Sequence, residues 1–246
     1  MRLCLSGRPE AARAFLTTRP FAHRGLHGQG RSENGMMAFD AAIAAGFGIE
    51  CDVRLNSDGQ VIVFHDATLD RLMGRPARVR DLSAAELGAI GLSDGSAPPR
   101  LAALLDRCGG VTPLLVEIKA DERWAGPLCA AVAADLRRHP GAPVAIMSFH
   151  PLVPFWFAWH APQVVRGLVV TQRNKGKWRG RLSRALALWL SRPDFLACDI
   201  RDLPSPLARA FRRRGLPVLS WTVRSAADRA TAADHADQII FEQADD

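Results

Sequence analysis

A (β/α)8 TIM barrel with a small insertion after its second strand region is the fold class this sequence predicts. Strand-length apolar runs alternate with helical patterns along most of the chain, which calls for a parallel sheet. The 246 residues supply about eight such units, enough to close a barrel. No G-x-G-x-x-G follows the first strand, which argues against an open dinucleotide-binding sheet. Neither a repeat nor a linker divides the chain, so a single domain, 1–246, is expected.

The first predicted strand, 21–24, runs from Phe21-Ala22 into His23-Arg24. A helical pattern over 34–45 then ends at Gly46, the residue type best suited to close a helix. Strands are expected at 48–54 and 60–65. Between them Asp58-Gly59 marks a tight hairpin instead of a helical crossover, so one of the two strands is an addition to the barrel pattern. Residues 67–100 read as the insertion, with a short helical run after Asp81-Leu82-Ser83 and Pro98-Pro99 at its end. Further strands fall at 112–118, 144–149, 165–170, 195–200, 217–223 and 237–241. Helices are expected at 127–138, 151–159, 181–190, 205–214 and 225–234, with Ser225 as an N-cap and Gly215 closing the helix before it.

Composition narrows the function classes. Five scattered cysteines without C-x-x-C spacing give neither a disulfide framework nor a zinc cluster, so buried free thiols are expected. The longest aromatic-apolar run, 152–159, falls far short of the roughly 18 residues that span a bilayer. The N-terminus lacks the apolar stretch of a signal peptide, and a cytoplasmic location is expected. Net charge is +7, nearly all of it from Arg, with Lys only at 119, 175 and 177. Such a balance favours anionic partners, although high Arg and Ala with no Tyr also fits a genome rich in G and C.

Charged residues sit at the ends of the early apolar runs. Glu50 and Asp52 are one residue apart, as are Glu117 and Lys119, so each pair shares one face of its strand while Ile49, Cys51, Val53, Val116 and Ile118 face the other way. His23-Arg24 and His65-Asp66 end two further runs. Carboxylates and cations gathered at the C-terminal ends of barrel strands need each other, a metal or an anionic substrate as partners. Glu33 and Asp66 are expected to support this cluster by hydrogen bonds, and Asn34 to cap a helix. Arg71, Arg75, Arg78 and Arg80 are expected to be solvated.

The ordered set His-Arg-Gly at 23–25, Glu33-Asn34, Glu50-x-Asp52, Asp58-Gly59 leading to His65-Asp66, Glu117-Ile118-Lys119, Ser148-Phe149 and Trp221-Thr222-Val223 resembles the glycerophosphodiester phosphodiesterase family, which are TIM-barrel enzymes. The resemblance implies metal-dependent hydrolysis of glycerophosphodiesters to sn-glycerol 3-phosphate and an alcohol. It implies a divalent cation, Mg²⁺ or Ca²⁺, on Glu50, Asp52 and Glu117. His23 and His65 would be the acid/base pair, with Arg24 and Lys119 on the phosphate and Trp221 and Phe149 in the substrate pocket. The chain departs from the family pattern at Gly35, at Arg224 and in the last strand, 239–242.

Two other readings use the same residues differently. Arg173, Lys175, Lys177, Arg179, Arg181 and Arg184 lead into an apolar pattern at Leu182, Leu186, Trp189 and Leu190. If that stretch and Trp178 met a lipid surface, the enzyme would be a lysophospholipase D. The favoured expectation is an inward-facing barrel helix behind a basic loop, a small-molecule substrate and no stable membrane association, with peripheral contact through 172–190 as the alternative. A non-catalytic phosphate or nucleic-acid binder is the third reading. It would not need two histidines beside three metal-type carboxylates, and no nucleic-acid partner is expected.

Overall fold

A computed structural model of the chain describes residues 8–120, 125–172 and 186–243. The basic positions 173–184, Trp178, Leu182 and Cys4 lie outside them. The chain divides into two compact units, one of residues 21–144 and the other of the N-terminal residues to Pro20 together with 145–244.

In the first unit, β1 (Phe21–His23), β2 (Gly48–Leu55) and β3 (Val61–Val63) come first, followed by β4 (Thr68–Leu69), β5 (Arg75–Arg78) and β6 (Leu114–Ile118). β2 lies parallel to both β1 and β6. β3 pairs antiparallel with it, as Asp58-Gly59 predicts, with Gly59 at φ 73°. Ile49, Cys51, Val53, Val116 and Ile118 are all fully buried, so the apolar parity of both strands packs into the core. The insertion builds a small core of its own from Leu69, Val79, Leu87 and Leu92 against Ile62 and Phe64. It also holds the expected short helix, Ala84–Ile90, fixed by a Ser83–Glu86 capping box. A helix at Leu101–Cys108 is additional to the expected elements. Leu101, Leu104, Leu105 and Cys108 are its buried residues, the i, i+3, i+4, i+7 pattern of a helix face.

In the second unit, β7 (Val144–Ser148), β8 (Val165–Val170), β9 (Phe195–Asp199), β10 (Val218–Val223) and β11 (Gln238–Phe241) pair in sequence order, all parallel. Helices Leu152–His160, Pro206–Arg212 and Ala226–His235 connect them, the last capped by Ser225 as expected. Three parallel strands in one unit and five in the other are the eight of the (β/α)8 barrel, with β3 as the added strand. The four described cysteines are free and buried. No helix among the described residues is long and apolar enough to cross a membrane.

The orientation of the helical stretch 186–191 also departs from expectation. In the helical stretch 186–191, Leu188 and Ser191 are the buried residues, while Leu186 and Trp189 are exposed and Leu190 is half-buried. Of the apolar positions 182, 186, 189 and 190 read as facing inward, Leu186 and Trp189 therefore face out, and Leu182 lies outside the described residues.

Candidate metal centre and acid/base site

Every charged residue singled out in the early strands belongs to the first unit, and the strand register brings them together. His23 of β1 stands opposite Glu50 of β2, and Asp52 stands opposite Glu117 of β6. His23 Nε2 lies 3.9 Å from Glu50 Oε2. After β1 the chain turns sharply, with Arg24 at φ 57° and Gly25 at φ 78°. A left-handed conformation costs an ordinary residue about 1–2 kcal/mol. Glycine is required at 25 for a second reason, because a Cβ there would meet the Ala38 backbone at 2.8 Å.

That turn aims Arg24 twice at the acids. Its backbone N–H donates to Glu50 Oε2 at 3.1 Å, and its guanidinium Nε lies 3.1 Å from Asp52 Oδ2. Nη1 donates to Glu33 Oε1 at 2.7 Å. Asn34 is buried and does not cap the helix Met36–Ala44, whose N-cap is Gly35. Its amide instead donates to Asp52 Oδ2 at 3.0 Å and accepts the Asp52 N–H at 3.2 Å. Lys119 Nζ sits 2.8 Å from Asp52 Oδ1 and 2.5 Å from Glu117 Oε1.

The three carboxylates differ in charge preference. Burial, reinforced by Asp52 and Glu117, pushes the Glu50 carboxyl well above its ordinary range. Burial also raises Glu117, with Lys119 opposing it. Asp52 is equally buried, yet Lys119 and Arg24 outweigh that burial and hold its carboxyl well below the usual range. Glu50 Oε1 has no hydrogen-bond partner among the described residues although it is buried. An orphaned buried carboxylate oxygen is costly, and a cation relieves it. One oxygen from each of Glu50, Asp52 and Glu117 lies within 4.8 Å of the others. Three hard oxygen donors at this spacing, one of them unsatisfied, fit a divalent metal ion.

His65 arrives by the added strand, where Phe64 N–H donates to the Asp52 carbonyl at 2.9 Å. Its Nδ1 is 2.6 Å from Asp66 Oδ1. Burial lowers the His65 pKa, and Lys119 and Arg24 push the same way against Asp52. Asp66 in turn accepts from Arg71 Nε at 2.6 Å. The same guanidinium is bidentate to Glu33, at 2.8 Å from Nη1 and 2.7 Å from Nη2. Arg71 was expected to be solvated; although 48% of its side chain is exposed, it joins the partner of Arg24 to the partner of His65. Arg75, Arg78 and Arg80 are exposed as expected. A cleft of about 550 Å³ opens beside Lys119 and is lined by Arg54, Arg78 and Arg80.

In the second unit, Phe149 follows β7 and Trp221 lies in β10, with their rings edge to face at 5.4 Å. Trp221 Nε1 donates to the Ala197 carbonyl at 3.0 Å. Phe149 is exposed and Trp221 half-buried, so the pair presents aromatic surface.

The roles of Asn34 and Arg71 escape a reading by period alone. Asn34 sits at φ 56°, outside any regular element, and Arg71 acts across 38 residues of sequence. For Asn34, the Glu33-Asn34 pair following the His-Arg-Gly motif at 23–25 was the available signal.

The profile of the Glycerophosphoryl diester phosphodiesterase family matches residues 23–241, running through both units. The chain is similar to the solved glycerophosphodiester phosphodiesterase of Thermotoga maritima, at 25% identity and a TM-score of 0.71, covering 90% of this chain and 92% of that one. It is also similar in fold to an Oleispira antarctica phosphodiesterase solved with the product sn-glycerol-3-phosphate, at 22% identity and a TM-score of 0.78, covering 94% of each chain. Among curated relatives, an uncharacterized protein of Bacillus subtilis is 42% identical over 79 residues, 32% of each chain. A glycerophosphodiester phosphodiesterase of Bacillus altitudinis is 44% identical over 71 residues, 28% of this chain and 29% of its own. The matched stretches thus span about a third of the length of those two relatives.

Proposed function

Because the chain belongs to the Glycerophosphoryl diester phosphodiesterase family, we propose that it hydrolyses glycerophosphodiesters to sn-glycerol 3-phosphate and an alcohol, and that the cluster from His23 to Lys119 performs the reaction. The observation that carries this reading is the meeting of three carboxylates able to hold one cation with two histidines and two cations in one unit. When bound by Glu50, Asp52 and Glu117, Mg²⁺ or Ca²⁺ supplies Lewis-acid polarisation of the phosphoryl group.

The protein's own groups do the rest. Arg24 offers a planar fork and Lys119 a point charge to the phosphate oxygens, while Asp52 and Glu117 hold Lys119 and Glu33 holds Arg24 in place. His65, biased toward its neutral form, takes a proton from the attacking hydroxyl. His23 gives a proton to the departing alkoxide as the bond from phosphorus to the alcohol oxygen breaks. The nucleophile is water or the substrate's own glycerol hydroxyl; both need the same proton acceptor. Phe149 and Trp221 are assigned to the alcohol, on their aromatic surface and on the family resemblance. The cationic cleft beside Lys119 favours an anionic substrate over a neutral one. Free buried thiols fit a reducing, cytoplasmic setting.

The test is turnover of glycerophosphocholine, glycerophosphoethanolamine and lysophospholipids with and without chelator. Release of sn-glycerol 3-phosphate from the first two, abolished by EDTA and restored by Mg²⁺ or Ca²⁺, is expected. Undiminished turnover in excess EDTA would remove the cation from the reaction.

A further inference from the structure

The cleft of about 550 Å³ beside Lys119 has four cationic residues among its described lining, Arg54, Arg78, Arg80 and Lys119, and no Asp or Glu. The reaction proposed above uses Lys119 alone of these four. All of them belong to the first unit.

Separate elements bring these charges to one place. Arg54 follows Glu50 and Asp52 at period two along β2, so it shares their face of the strand. Its Nε donates to the His65 carbonyl at 2.8 Å, which ties the wall of the cleft to the proposed proton acceptor. Arg78 ends β5 and Arg80 follows in the turn Val79–Asp81, and both are exposed. Val79 between them is buried and its N–H donates to the Ala67 carbonyl at 3.1 Å, so the backbone that carries both arginines is fixed. Asp81 lies 3.5 Å from Arg80 Nε, but both side chains are more than half exposed, at 61% and 52%, and such a pair holds weakly in water. Ala125, Pro127 and Leu128, at the start of the 12-residue helix Gly126–Arg137, line the same cleft. No side chain caps that helix and its first turn holds no acid, so the partial positive charge of its start adds to that of the arginines.

Guanidinium forks select oxyanions, phosphate above all. A cleft of this volume lies within the range of small-molecule sites, with room for a phosphate and the glycerol that carries it rather than for a lone carboxylate. Lys119 is the rim that the cleft shares with the reaction centre, its Nζ 2.8 Å from Asp52 Oδ1. A substrate with its scissile phosphate at Lys119 and Arg24 therefore has the cleft beside it for a second anionic group. We propose that the cleft holds a second phosphate of the substrate, so that the protein prefers glycerophosphodiesters carrying a further phosphodiester, one glycerol unit from the scissile bond, over those with a single phosphate. The proposal rests on the reaction proposed above and names its substrate class. Arg78 and Arg80, exposed and distant from the carboxylates in sequence, thereby become residues that set specificity.

The experiment is calorimetric binding of bis(glycerophospho)glycerol, against glycerophosphoglycerol, to the full chain in excess EDTA, where no turnover is expected. The first ligand carries two phosphodiesters on one glycerol and the second carries one. About tenfold tighter binding of the first is expected, the contribution of one hydrogen bond between charged groups. The gap should narrow as salt rises. The double variant Arg78→Gln, Arg80→Gln should bind the two ligands alike. Arg75→Gln removes an exposed charge of the same strand that is not among the residues lining the cleft, and it should keep the gap. Thermal melts of the variants control for folding. Equal affinity of the unaltered protein for the two ligands, an unchanged gap in the double variant, or an equal loss in Arg75→Gln would overturn the proposal. Failure of the reaction itself is read separately, as the absence of sn-glycerol 3-phosphate from either ligand once Mg²⁺ or Ca²⁺ is supplied, and it leaves the binding gap to decide the role of the cleft.

Discussion

Glu50 sets the chemistry of the cluster at the level of single residues. Its carboxyl prefers the proton because burial and two neighbouring acids oppose its charge, and Glu117 leans the same way. A cation must therefore compete with protons up to a higher pH than it would at free glutamates. Cation affinity is expected to fall as pH falls, and binding to release protons, measurable by calorimetry in buffers of different ionisation enthalpy. Glu50→Gln keeps the volume and removes the charge. It should weaken cation binding by more than the roughly 10- to 100-fold lost when a merely supporting group is removed. Unchanged affinity would take Glu50 out of the ligand set. The histidines admit a sharper test: His23→Ala and His65→Ala should each lower kcat by roughly 100-fold or more. A nitrophenyl diester, whose leaving group needs no proton, should restore only the His23 variant. Equal rescue of both would contradict the division of roles. Glu50, Asp52, Glu117 and Lys119 were legible because period-two spacing assigns faces without knowledge of the fold, whereas His23 and His65 stood out by ending apolar runs and by the family resemblance. Asn34 was not legible, since its partner is chosen by a left-handed turn that no periodicity announces.

Among the elements, the insertion does more than fill space. Arg71 stands just after β4 and grips Glu33 and Asp66 together, so a segment outside the barrel pattern steadies groups beside Arg24 and His65. Arg71→Ala is expected to lower kcat by about 10- to 100-fold with a smaller change in KM, because a loosened His65 affects the transition state more than binding. Arg71→Lys should recover little, as an ammonium cannot make the bidentate fork. A loss seen only as a lowered melting temperature would make Arg71 structural. Strand positions were readable to within about two residues because apolar runs and turn signals agreed. The helix Leu101–Cys108 was also written in its leucine spacing but hidden behind Pro98-Pro99, which read as the end of an insertion. At 186–191 the error had another source. Residues 185–190 are Ala, Leu or Trp throughout, so the sequence has no polar face by which to orient the helix.

For the whole molecule, the residues assigned to proton transfer, cation holding and phosphate binding all fall between 23 and 119, inside the first unit. The aromatic pair assigned to the alcohol, Phe149 and Trp221, belongs to the second. Replacing Phe149 or Trp221 by Ala should therefore alter the ratio of rates among glycerophosphodiesters of different alcohols while leaving cation affinity within about twofold, since sites without shared partners act independently. Coupled losses of affinity and selectivity would refute that separation. The partition has an evolutionary corollary. If the proposed roles hold, a gene crossover near codon 144 would transmit the residues assigned to hydrolysis intact while exchanging the pair assigned to the alcohol. Descendants of such an event would inherit the old reaction with a new diet, acquired in a single recombination instead of by gradual substitution.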